Sequence, residues 1–185
     1  RQERQVLLFT RCANRQVTLS VQGVDRKRDE YKGCGGTIHM EKTNEKYGAY
    51  IQILREELIP AMGCTEPIAV AYAAAVARQT LGELPDKVIV GASGSIIKNV
   101  KSVIVPNTDN MKGLNTAAAA GIVAGKPEKE LEVIAEVTPE QTEEIKEFLK
   151  TAEITVEHVE NGNTFDIIIT VFKGEKSAKV RIANY

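Results

Sequence analysis

The chain has 185 residues, 43% of them hydrophobic and 26% charged, with a formal net charge of -1; this is the makeup of one ordinary globular domain or of part of a larger protein. Such a balance gives no electrostatic reason to expect nucleic acid as a partner, and the longest apolar run, around Ala69 to Ala77, is too short and too alanine-rich to span a bilayer, so no membrane role follows. Three cysteines at irregular spacing, with neither a CxxC pair nor a secretory signal, point to a reducing cytoplasm and away from a disulfide framework.

In chain order, the first segment differs in kind from the rest. Residues 1–39 carry 8 basic and 4 acidic residues, whereas residues 40–185 carry 16 and 21; six of the nine arginines precede Met40 and 13 of the 15 lysines follow it. The codons of Gly35 and Gly36 allow a ribosome-binding sequence, and only Thr37, Ile38 and His39 separate them from Met40. Residues 1–39 therefore read as a translated upstream leader, expected to be disordered and to make few contacts, with the native chain starting at Met40. The competing reading, a basic arm that binds nucleic acid, lacks helical periodicity and has only Phe9 and Tyr31 as aromatics. As a leader, the segment removes Cys12, Cys34 and His39 from the chemistry.

After Met40, Asn44 can cap a helix with apolar positions Tyr47, Tyr50, Ile51, Leu54 and Leu58, ended by Pro60. Following the turn Ala61-Met62-Gly63, Thr65 is the expected N-cap of a second helix from about Pro67 to Leu81, stopped by Gly82. Its alanines at 69, 71, 73, 74, 75 and 77 let neighbouring elements approach the backbone closely. The stretch KVIVGAS predicts a buried strand, then a glycine-serine turn, then a second short strand in VIVPNT ending at Pro106. GLNTAAAAGIVAG reads as another small-residue helix, and Thr138-Pro139-Glu140-Gln141 as a capping box opening a helix to about Lys150. Strands at 154–159, 165–172 and 178–182, joined by NGN and GEKS, complete an α+β fold: Ala/Gly-rich helices packed with short strands, followed by a three-stranded antiparallel meander. A chain that stops directly after a strand reads as truncated at its C-terminus.

Chemistry concentrates in PAMGCTEP, residues 60–67. A lone cysteine is more often a small buried hydrophobe than a reactive group. Here, however, the thiol of Cys64 is expected at a helix N-terminus, where unpaired N–H groups and the dipole lower a cysteine pKa from about 8.5 toward roughly 3.5–7.5. Gly63 permits close approach, Pro60 and Pro67 stiffen the turn, and Glu66 opposes the effect by placing a negative charge nearby. Ser93, Gly94, Ser95, Lys98 and Asn99 follow a strand and can hold a substrate carboxylate, or simply form a surface turn. Thr108, Asn110 and Asn115 are candidates for lining the same cleft. GASGS lacks the GK[ST] of a nucleotide-binding loop, and His158 has no second ligand at metal-binding spacing.

GCTEP between two helices, an alanine-rich helix, the pair Lys98-Asn99, VPNT at 105–108 and a Gly/Ala-rich helix together resemble the amino-terminal part of the L-cysteine desulfidase family. That family is related to the alpha chain of iron-sulfur-dependent L-serine dehydratases. The likeness begins near Met40 and runs to Tyr185, roughly the first third of a full-length member, with Asn107 where glycine is expected. The resemblance implies a cytoplasmic lyase that converts L-cysteine to pyruvate, ammonia and sulfide with a [4Fe-4S] cluster. Its cluster cysteines would lie downstream of this chain, leaving the fragment alone inactive. Cys64, with Thr65 and Glu66, is then the catalytic candidate, Cys64 as base or alternatively as a cluster ligand. L-Serine dehydratase and a non-catalytic amino-acid-binding paralogue are the alternatives. The partner is a small amino acid, with a homo-oligomer open.

Overall fold

A computed structural model describes residues 6–8, 47–57, 61–160 and 162–183. By contact the chain divides into two units, one formed by residues 1–11 and 60–185 and the other by residues 12–59. In the second unit, helix α1 runs over Tyr47–Glu57 and leaves Tyr50 and Ile53 exposed. Its expected cap Asn44 and stop Pro60 lie outside the described residues.

The first unit is built on a mixed sheet in the order β1-β5-β4-β2-β3. The strands are β1 (Val6–Leu8), β2 (Lys87–Ala92), β3 (Glu153–His158), β4 (Asp166–Lys173) and β5 (Lys176–Ala183). β1, within the segment read as a leader, pairs in parallel with β5; the rest of residues 1–39 lies outside the described residues. β4 and β5 form the hairpin expected at GEKS, with Lys173 opposite Lys176. NGN, in contrast, does not close a hairpin. β2 inserts between β3 and β4, parallel to the first and antiparallel to the second. The antiparallel meander is thus replaced by a mixed sheet, because β3 returns through a helical crossover and parallel pairing requires such a connection.

Between β2 and β3 lie α3 (Gly94–Val100), α4 (Gly113–Ala124), a 3-10 segment (Pro127–Glu132) and α5 (Pro139–Thr151). α3 corrects the expected glycine-serine turn: Ile96 and Val100, four residues apart, are both buried and give the segment a helical face. VIVPNT corrects likewise, since only Ile104 bridges to Lys112 and residues 106–110 form a turn. α5 starts on the expected capping box, with Thr138 accepting from the Gln141 N–H at 3.3 Å and Gln141 accepting from the Thr138 N–H at 3.1 Å.

The core forms where sheet and helices present matched apolar faces. Val88, Val90 and Ala92 stand in register with Val171, Ile169 and Ile167, and these in turn with Ala178, Val180 and Ile182; all are buried. Helix α2 (Thr65–Leu81) packs on β4 and β5 and, most extensively, on α4. The small residues make that crossing close. A Cβ on Gly121 would overlap the Ala71 carbonyl, and one on Gly125 would come 2.7 Å from the Ala75 Cβ. No helix among the described residues is long and apolar enough to cross a membrane.

Candidate active site

The turn before α2 is shaped by Gly63, whose φ of 81° favours glycine. A Cβ there would lie 3.5 Å from Pro106 Cγ, and the Met62 N–H donates to the Leu131 carbonyl at 3.4 Å, so the turn rests on the Pro106 turn and on the 3-10 segment. Cys64, not Thr65, is the N-cap residue; Thr65 already belongs to the helix. The thiol is exposed and donates to Glu66 Oε2 at 2.9 Å, while Asn99 Nδ2, from the end of α3, donates to Glu66 Oε1 at 3.4 Å. Cys64 and Glu66, expected as catalytic, and Asn99, expected as substrate-binding, thereby form one chain of polar contacts.

Its electrostatics reverse the expectation for the thiol. Partial burial and the hydrogen bond to Glu66 push the Cys64 pKa above its ordinary value, and the carboxylate charge adds to both. Glu66 moves the other way: the hydrogen bond from Cys64 holds it below the usual carboxylate range, with smaller help from Asn99 and Thr65 and against its own desolvation. Burial and a carboxylate at hydrogen-bond distance together outweigh the lowering by the Glu66 backbone N–H at the helix end. At neutral pH the pair rests as thiol and carboxylate.

The other predicted residues separate. Ser93 is buried, its hydroxyl donating to the Thr164 carbonyl at 2.7 Å and its N–H to the Asp166 carbonyl at 2.9 Å, so it ties α3 to the start of β4. Gly94 and Ser95 are exposed at the first turn of α3, where a Cβ on Gly94 would lie 3.2 Å from His158 Nε2. Lys98 is exposed next to Asn99 in the last turn, and a helix rise of about 1.5 Å per residue puts these two roughly 7 Å along α3 from Ser93 and Gly94. Thr108 is fully buried and donates to the Val105 carbonyl at 2.7 Å, which makes it part of the PNT turn and not of a cleft lining. Asn110 and Asn115 are exposed.

Two sets of side-chain contacts go beyond what the sequence leads one to expect. Asn107 has φ 56°, and its Nδ2 donates to two successive carbonyls, Ile134 at 3.1 Å and Ala135 at 2.9 Å. The departure from glycine thus keeps the left-handed turn and adds a clamp. Asp166, fully buried, accepts from Arg181 Nε at 3.0 Å and Nη2 at 2.7 Å in a bidentate pair beside Ser93. Counting back from the GEKS hairpin, which sets Asp166 opposite Ala183 and Ile168 opposite Arg181, would have revealed this diagonal pair.

A [4Fe-4S] cluster needs several converging thiolates. Among the described residues Cys64 is the free cysteine, and no three His, Cys, Asp or Glu side chains converge to hold a metal. The described residues therefore do not make a seat for the cluster; Cys64 offers one sulfur, whose proton is directed at Glu66.

No protein-family model matches the chain. It is similar to the UPF0597 protein of Desulfitobacterium hafniense, 52% identical over 148 residues that cover 80% of this chain and 34% of the relative. The UPF0597 protein of Lachnoclostridium phytofermentans is 46% identical over 136 residues, 74% of this chain and 33% of the relative. That of Treponema denticola is 52% identical over 110 residues, 60% and 26% respectively. The chain spans about a third of the length of the curated relatives it matches.

Proposed function

We propose that this chain is the Cys64-bearing part of a lyase that performs α,β-elimination on a small amino acid, L-cysteine before L-serine. Two supports meet: the GCTEP and VPNT resemblance, and the exposed Cys64 thiol 2.9 Å from a carboxylate held ionised. The second observation carries the reading, because an elimination at the α-carbon requires a positioned proton acceptor open to substrate.

In this reading the pair carries the proton steps. Glu66 Oε2 takes the Cys64 proton, and the thiolate so formed takes the α-proton of the bound amino acid. The electron pair of the Cα–H bond forms the Cα=Cβ bond, and the Cβ–S bond breaks with departure of hydrosulfide. The resulting aminoacrylate tautomerises to an imine, which water hydrolyses to pyruvate and ammonia. Because the resting pair is thiol and carboxylate, forming the thiolate is uphill, and substrate must supply part of that cost by excluding water around the pair. The substrate carboxylate is assigned in this reading to Lys98, exposed in the last turn of α3 beside Asn99. The [4Fe-4S] cluster enters the proposal through the resemblance alone, its ligands coming from outside the described residues.

The test is product analysis on the whole protein, prepared anaerobically and supplied with L-cysteine or L-serine. Pyruvate and sulfide in equal amounts from L-cysteine, at a higher kcat/KM than pyruvate from L-serine, are expected. Faster turnover of L-serine would move the assignment to the dehydratase, and no turnover of either would overturn it.

A further inference from the structure

We infer that Asn99 is a positioning residue: it anchors one oxygen of Glu66 so that the other faces the thiol of Cys64. Asn99, expected among the substrate-binding residues, turns its amide toward protein. Nδ2 donates to Glu66 Oε1 at 3.4 Å while Oε2 receives the Cys64 thiol at 2.9 Å, so the two oxygens of one carboxylate are engaged from opposite sides. Glu66 is a long side chain at a helix N-terminus, and its other hydrogen bonds, from its own N–H and from Thr65, come from the same helix turn. A donor on a second helix restrains it. Asn99 lies one residue before Val100, which is fully buried, and three after Ile96, which is 2% exposed; α3 is thereby seated in the core while Asn99 itself faces outward. The site therefore borrows its geometry from α3 without a covalent link between the elements. An amide suits the task better than a charged donor: it restrains the carboxylate and leaves it able to accept a proton.

The role of Asn99 in turnover rests on the proposed elimination, whereas its hold on Glu66 does not, and the experiment addresses the hold alone. The chain is treated with iodoacetamide at pH 8, and Cys64 modification is followed by peptide mass spectrometry, which separates it from Cys12 and Cys34. Glu66→Gln removes the nearby charge and should speed Cys64 alkylation by about tenfold, a change equivalent to about 1.4 kcal/mol. Asn99→Ala should speed it about threefold, because a carboxylate released from its anchor spends less time at the thiol. In the Glu66→Gln background Asn99→Ala should add nothing, the non-additivity expected of a residue acting through another. Asn99→Leu, which keeps the bulk of the side chain, should behave as Asn99→Ala, and circular dichroism checks that each variant is folded. An unchanged rate in both Asn99 variants overturns the assignment. So does an equal acceleration with and without Glu66, since that is the signature of a general structural effect. Either result leaves the elimination reading to be judged by its own product assay.

Discussion

Gly121→Ala sets two physical effects against each other at the α2–α4 crossing. Glycine in a helix interior is about 1 kcal/mol worse than alanine, so propensity alone predicts a more stable protein. The structure predicts the opposite. The new Cβ would overlap the Ala71 carbonyl and lie 2.7 and 2.8 Å from its C and Cα, all of them backbone atoms of a buried helix that cannot swing aside. Restoring ordinary contact requires the helices to part by about 1 Å, and overpacking of this kind costs about 3 kcal/mol, the upper end of its usual range. The net loss is about 2 kcal/mol, or about 4–8 °C in Tm for a protein of this size. Urea unfolding followed by circular dichroism measures it, with Gly48→Ala as the control. No described atom lies within 4 Å of where the Gly48 Cβ would stand, so that variant should match or slightly exceed the parent. A Gly121→Ala protein as stable as the parent would refute the close-crossing argument.

Other consequences can be read in the same way. Asn107→Ala should lose about 2 kcal/mol by urea unfolding, since it puts a Cβ-branch-free but non-glycine residue at positive φ and deletes two hydrogen bonds; Asn107→Gly, which tolerates the turn, should lose less. Arg181→Met should cost about 3 kcal/mol, because it strips both charged donors from fully buried Asp166 although Arg181 itself is one-third exposed. Glu136, held at about 2 by hydrogen bonds from Lys126 and Lys129, should show that midpoint by carbon NMR and move upward in 0.5 M salt (~3–5 Å screening). Its depressed value contributes stability that is complete above the ordinary carboxylate range and is lost as pH falls through about 2.

Much of the fold was legible where a single element carries its own signal. The alanine runs of α2 and α4 announce helices that pack closely, and Thr138-x-x-Gln141 marks the start of α5 because both capping bonds are local. What the sequence hid depends on partners distant in the chain. The alternation in β3 and β4 is the same whether they pair with each other or flank β2, so strand order was invisible. α3 hid behind β-branched Ile96, Ile97 and Val100, residues whose local preference favours a strand but whose spacing buries a helical face. At the site, GCTEP correctly located an exposed thiol at a helix start. The helix end and Glu66 pull the thiol pKa in opposite directions, and partial burial, which the sequence does not reveal, is the largest cause of its rise and the bond to Glu66 the next. Asn99 could not be joined to that pair from spacing alone: 33 residues separate it from Glu66.

The central claim is that Cys64 acts in proton transfer at the substrate α-carbon, and exchange of that proton tests it most directly. The whole protein and its Cys64→Ser variant are incubated with L-cysteine in deuterated water, and α-deuteration of recovered substrate, pyruvate formation and iron content are measured on the same preparations. Serine keeps the size of the side chain but titrates far above neutral pH. Exchange and turnover should fall together by roughly 10²- to 10⁴-fold, as for loss of a general base, while iron content stays at the parent level. Full exchange and turnover in Cys64→Ser would contradict the claim, and iron lost in step with activity would show that the sulfur is a ligand instead.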